Sequence, residues 1–169
     1  HRDLHSFPTR RSSDLPQHAL DLIDEAAPGS VIVIAIGGDA DVAVWGGLMT
    51  AGAWARGMAG AVLAGAVRDL AEIRRDYDFP VIARSVSPGT TVGRHRTVAS
   101  NVPVVCGGIE VNPGDMIVGD IDGVVVVPRA RCAEVLEMAR EIDRRELEQA
   151  RLIVEAKSLR QGLAKYGRI

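Results

Sequence analysis

WGGLMTAGAWARGMAGAVLAGAVRD, residues 45–69, decides the fold class of this chain. The pair Gly46-Gly47 stands at the mouth of a helix predicted over Leu48–Met58, whose small residues allow close packing. An unbroken apolar run, Ala61–Val67, then has the composition of a strand buried on both faces. Arg68-Asp69 leaves that strand at its C-terminal end, where layered α/β folds place their ligands. Helix, buried strand and charged loop in this order predict an α/β fold with strands sandwiched between helices.

The flanking sequence extends the pattern. Upstream, Pro16–Ala27 is amphipathic, with Leu20, Ile23 and Ala27 on one face, and Pro28-Gly29 ends it. Val31–Ile36 is a β-branched strand, and Gly37-Gly38-Asp39 a turn. Downstream, Asp69–Arg75 reads as a short helix and Val81–Ser85 as a third strand turned by Pro88-Gly89. Val102–Cys106 and Ile109–Val111 are strands joined by Gly107-Gly108. Asn112-Pro113-Gly114-Asp115 is a turn, and Met116–Asp120 and Val124–Val127 form a hairpin around Asp122-Gly123. From Arg129 to about Ala156 the period becomes helical, with Val135, Leu136, Ala139, Ile142, Leu147, Ala150 and Ile153 recurring every three to four residues. A helix of that length is expected to pack partly on another subunit.

Composition narrows the class. The 169 residues suffice for one domain with its own core, and that core must be aliphatic, since only 4% are aromatic. A formal charge of −2 gives no electrostatic case for DNA or RNA as the main ligand. Cys106 and Cys132 read as free thiols of a cytoplasmic protein. No apolar run reaches the roughly 18–20 residues of a membrane span, and no secretory leader is visible. Residues 1–15, HRDLHSFPTRRSSDL, have neither periodicity nor capping logic, and from His5 onward they resemble a translated sequencing adapter. They are set apart as an artefactual or disordered tail, leaving 16–169 as a domain without its natural N-terminal part.

The chemistry concentrates around the opening stretch. Gly46 and Gly47 let a ligand approach the backbone, and the amides of Leu48 and Met49 are first-turn donors suited to a carboxylate. The planar fork of Arg68 suits a carboxylate and a neighbouring keto oxygen. Asp69 suits Mg²⁺, which takes one or two carboxylates and keeps several waters. Taken singly, each feature is better read as a tight turn or a solvated ion pair. Arg94-His95-Arg96 reads as a solvated loop, Asp115, Asp120 and Asp122 as turn carboxylates, and Trp45 and Trp54 as packing residues.

Gly47, twenty intervening residues, Arg68-Asp69, two more residues and Glu72 together resemble the motif of the RraA-like / 4-hydroxy-4-methyl-2-oxoglutarate aldolase family. Gly37-Gly38-Asp39, Trp45–Thr50, Pro103–Gly108, Val111–Asp115 and Asp120–Pro128 fit that family in the same order, so the resemblance covers about residues 16–169. It implies a layered swivelling β/β/α domain with a long C-terminal helix, assembled as homotrimers or hexamers. It implies a class II pyruvate aldolase acting on 4-hydroxy-4-methyl-2-oxoglutarate or 4-carboxy-4-hydroxy-2-oxoadipate, dependent on Mg²⁺ or Mn²⁺. Oxaloacetate decarboxylation would proceed through the same metal-stabilised pyruvate enolate. By the match, Asp69 anchors the metal, Arg68 binds the pyruvyl group, and Gly46, Gly47, Leu48 and Met49 hold its carboxylate. Glu146, with Glu141 as fallback, is the matching inter-subunit carboxylate on the long helix. The family's aldolases often carry aspartate where this chain has Gly47, and many have Asp-Gly where it has Ala64-Gly65. The alternative the resemblance allows is an RraA-type regulator of a ribonuclease, acting by protein binding without catalysis.

Overall fold

The structure, a computed structural model, describes residues 17–37 and 41–167. The tail set apart above and the Gly38-Asp39 part of the first turn lie outside the described residues. The chain divides into two compact units, one running to Pro113 and taking in Gly119–Val124, the other formed by Gly114–Val118 and the chain from Val125 onward.

The first unit is built on a parallel sheet. Helix α1 (Gln17–Glu25) is followed by strands β1 (Val31–Ile34) and β2 (Ala43–Trp45). Helix α2 (Gly47–Ala55), strand β3 (Gly60–Val67), helix α3 (Leu70–Asp76) and strand β4 (Val81–Val86) complete the sheet region. Strand β3 is central. One edge pairs in parallel with β4 from Ala61↔Val81 to Val67↔Val86. The other edge is shared end to end, because β1 takes Gly60–Leu63 and β2 takes Ala66 and Val67. The change of partner coincides with an irregularity between Leu63 and Ala66. Gly65 makes room there, since a Cβ would lie 2.9 Å from Ile36 Cδ1 and 3.2 Å from the Val42 carbonyl oxygen.

Parallel neighbours need crossover connections, and α2 and α3 supply them. Helix α2 stops where glycine permits a left-handed residue. Gly57 has φ +69°, its N–H donates to Trp54 O at 2.9 Å, and Met58 N–H donates to Ala53 O at 3.0 Å. These two bonds make a Schellman ending, which satisfies carbonyls the last helical turn would leave unpaired. The core joins Ile23 of α1, Trp45, Ala53, Leu63, Val67, Ile73 of α3 and Phe79. Trp45 lies parallel to the Phe79 ring, with centroids 6.3 Å apart. Trp54 packs as expected, tilted against Tyr77, while remaining 57% exposed. Strands β5 (Val104–Cys106) and β6 (Ile109–Val111) form a separate antiparallel pair.

The second unit contains most of the hairpin β7 (Met116–Gly119) and β8 (Val124–Val127), a 3₁₀ turn at Arg129–Arg131, and helices α4 (Cys132–Ala156) and α5 (Leu159–Leu163). The long C-terminal helix is therefore present, with its first residues wound as 3₁₀. Only Gln149 of α4 is buried, while Leu136, Ile142, Leu147 and Val154 are exposed. Two elements escaped the sequence reading, β2 and α5. Helix α5 starts where the Ser158 side chain accepts a hydrogen bond from Gln161 N–H, and it lies so close to α4 that a Cβ on Gly162 would sit 2.6 Å from Ile153 Cα. Both cysteines are free thiols, and burial raises the pKa of Cys106. Among the described residues no helix is long and apolar enough to cross a membrane.

Candidate active site

The C-terminal end of β3 and the N-terminus of α2 meet in the first unit. Backbone pairing brings them together, with Arg68 N–H donating to Trp45 O at 3.0 Å. Asp69 then takes up a left-handed conformation, φ 60° and ψ 29°. Few non-glycine residues other than Asn and Asp do so readily. This sharp turn starts α3 and points the Asp69 carboxylate back at α2: Gly47 N–H donates to Asp69 Oδ2 at 3.0 Å. Arg68 Nη1 donates to the same oxygen at 2.5 Å. Oδ1 receives neither bond. The two side chains are about one-third exposed, 37% for Arg68 and 34% for Asp69, so the pair faces water from one side only.

The glycines matter for the space they leave. Gly46 is extended (φ −166°, ψ −171°), a conformation open to any residue. A Cβ there, however, would lie 2.8 Å from Arg68 Cζ and 2.8 Å from Asp69 Oδ2. A Cβ on Gly47 would lie 2.6 Å from Glu72 Oε1. Three charged side chains thus rest on the backbone of two consecutive glycines. Glu72 was legible only as a member of the motif; the structure shows where its carboxylate goes. It fills the space that a side chain at position 47 would occupy.

Helix α2 begins without a side-chain cap of its own. Its first intrahelical bond runs from Thr50 N–H to Gly46 O at 3.0 Å. The Leu48 and Met49 amides therefore precede the bonded ladder, as a carboxylate-binding helix terminus requires. Gly47 N–H, expected among the ligand donors, is engaged with Asp69. Leu48 is 83% exposed and Met49 half-buried. Glu146 is an exposed residue of α4, in the second unit, and Glu141 on the same helix is paired with Arg144 and Arg145. The other motifs behave as turns and loops. Asp120 Oδ1 accepts from Asp122 N–H at 2.8 Å, Arg94 Nη1 donates to Thr90 O at 3.0 Å, and His95 Nε2 lies 3.2 Å from Gly37 O.

Asp69 and Glu72 offer hard carboxylate oxygens, and the described residues contain no cluster of three or more His, Cys, Asp or Glu able to hold a metal ion. Hard carboxylate oxygens of this kind could hold a divalent cation such as Mg²⁺ or Mn²⁺, with water completing the shell.

A family model described as RraA-like, Aldolase/RraA, matches residues 10–126. The chain belongs to the RraA-like family. A protein of Halalkalibacterium halodurans that carries the name 4-hydroxy-4-methyl-2-oxoglutarate aldolase provisionally is 40% identical over 119 residues, covering 69% of this chain and 54% of that protein. The chain thus spans about half the length of that relative. Among solved structures, an uncharacterized protein from Pseudomonas syringae pv. tomato superposes with a TM-score of 0.81 at 34% identity, covering 88% of this chain and 69% of the other. Streptomyces coelicolor RraAS2, described as an unusual member of the RNase ES inhibitor RraA protein family, gives 0.71 at 28% identity, covering 82% and 70%. The RraA-like fold expected from the motifs is the fold of these neighbours.

Proposed function

We propose that this RraA-like chain is a divalent-metal-dependent carbon–carbon lyase. It would cleave 4-hydroxy-4-methyl-2-oxoglutarate or 4-carboxy-4-hydroxy-2-oxoadipate to release pyruvate, and decarboxylate oxaloacetate at the same site. The observation that carries this reading is the convergence of Arg68, Asp69 and Glu72 over the Gly46-Gly47 entrance to α2. An oxo-acid carboxylate would accept hydrogen bonds from the Leu48 and Met49 amides, with the helix dipole adding about 0.3–1 kcal/mol. Arg68 keeps one nitrogen on Asp69 and has further guanidinium donors for the substrate carboxylate and keto oxygen. Asp69 would hold the cation, with water completing the shell. A bound Mg²⁺ or Mn²⁺ would supply Lewis-acid stabilisation of the charge that develops on the 2-keto oxygen as the C–C bond breaks. Glu72, in the space of the absent residue-47 side chain, is the group placed to hold or return a proton at the pyruvyl carbon. In this reading the chain assembles as trimers or hexamers in the cytoplasm and Glu146 of a neighbouring copy joins the site; the exposed apolar residues of α4 support only its packing on a further subunit.

The test is pyruvate release from oxaloacetate with and without Mg²⁺ or Mn²⁺, in wild type, Arg68→Ala and Asp69→Asn. Metal-dependent turnover that both variants lose supports the reading. No metal-dependent turnover, or turnover unchanged in both variants, overturns it. Likeness to the Streptomyces protein favours one other reading, regulation of a ribonuclease by protein binding. Inhibition of a ribonuclease in a defined complex, with no lyase turnover, would select it.

A further inference from the structure

One peptide unit links the candidate site to the core. The carbonyl of the Gly46–Gly47 peptide accepts from Thr50 N–H at 3.0 Å and from Thr50 Oγ1 at 3.1 Å. The N–H of the same peptide donates to Asp69 Oδ2 at 3.0 Å. Behind Thr50, Trp45 Nε1 donates to Thr50 Oγ1 at 2.8 Å. Both side chains are closed to solvent, Thr50 at 0% and Trp45 at 1% exposure.

The direction of this chain is forced by chemistry. An indole N–H can only donate, so the Thr50 oxygen must accept from it, and the hydroxyl proton is then free for Gly46 O. The order is Trp45 N–H, Thr50 O–H, the Gly46–Gly47 peptide, then the Asp69 carboxylate. Each donor polarises the next, which strengthens the last bond in a low-dielectric setting. A threonine hydroxyl bonding back four residues is common in helices and by itself signifies little. Here it is fixed by a buried tryptophan and acts on the one peptide whose N–H grips Asp69. We infer that Thr50, backed by Trp45, is a positioning residue that orients the Asp69 carboxylate through the Gly46–Gly47 peptide. Its consequence for metal binding rests on the function proposed above; the clamp itself does not.

Thr50→Val removes the hydroxyl at nearly constant shape, and Thr50→Ser keeps it. Two readouts are taken on the full chain: the Gly47 amide proton resonance, and Mn²⁺ affinity from the paramagnetic resonance of free Mn²⁺. Thr50→Val should move the Gly47 resonance upfield and weaken Mn²⁺ binding by about ten-fold, in the range of other outer-shell losses. Thr50→Ser should restore both, which a purely structural role would not require. An unmoved Gly47 resonance in Thr50→Val overturns the inference, whatever the metal does. A shifted Gly47 resonance, with Mn²⁺ bound equally by wild type and Asp69→Asn, supports the clamp and refutes Asp69 as the metal anchor. Should Thr50→Val not fold, Trp45→Phe keeps an aromatic ring facing Phe79 while removing the N–H together with part of the buried indole, and a Gly47 shift in the same direction is expected.

Discussion

On the proposed function, Gly47→Ala should separate catalysis from stability. The new Cβ would stand 2.6 Å from Glu72 Oε1, where ordinary contact begins at 3.4 Å. The Glu72 carboxylate must therefore retreat by about 0.8 Å, and as the far end of a flexible side chain it can. The backbone is not strained, and alanine is favoured over glycine within a helix by up to about 0.5–1 kcal/mol. Stability should thus hold or rise. Displacement of a reacting group by about 1 Å costs on the order of 10²-fold in rate, or about 2.7 kcal/mol of transition-state stabilisation. The assay is pyruvate formation from oxaloacetate with saturating Mn²⁺, alongside thermal unfolding. Gly47→Ala should lose about that factor in kcat without a fall in Tm. Glu72→Ala and the double variant should then be equally slow, since the alanine at 47 acts only by moving Glu72. Full turnover in Gly47→Ala, or losses that add in the double variant, would refute the placement of Glu72.

The second unit offers two further tests. Gly162→Ala puts a Cβ 2.2 Å from Ile153 Cγ1 and 2.6 Å from its Cα. The obstacle is partly backbone, so α5 should loosen from α4 at a cost of about 1–3 kcal/mol, seen as faster amide exchange over 159–167. Glu141, hydrogen-bonded by Arg144 and Arg145, has its carboxyl pulled down to about 2. A carboxyl lowered on folding stabilises above its unfolded value of about 4.3 and loses that contribution as pH falls toward 2. The difference in urea midpoint between wild type and Glu141→Gln should shrink from about pH 5 to about pH 2; a constant difference would contradict the pairing.

Much of this was written in local patterns. Ala61–Val67 is the central strand almost to the residue, because an apolar run between glycine and a charged pair has few other uses. Strand β2 was invisible: three residues carry no periodicity, and only β3 and the bridge to Thr90 make them a strand. Helix α5 has five residues, too few for a pattern, yet Ser158 three positions before Gln161 was a readable cap. The place of Glu72 over Gly47 could not be read from spacing, since it depends on the left-handed turn at Asp69. Trp54 read as a packing residue, and it packs on Tyr77 while leaving about half of its surface to water, as large tryptophans often do.

The bond from Gly47 N–H to Asp69 carries a consequence for comparing sequences of this type. Most helices carry their N-cap within their own sequence; α2 borrows its carboxylate from the turn after another strand. An acid at position 69 therefore steadies a helix end as well as facing the site. A relative without the lyase chemistry proposed here, keeping only a binding surface, would still gain from that acid. Selection for folding alone can therefore preserve Asp69, and Glu72 in the first turn of α3 as well, whatever becomes of the chemistry proposed for the site.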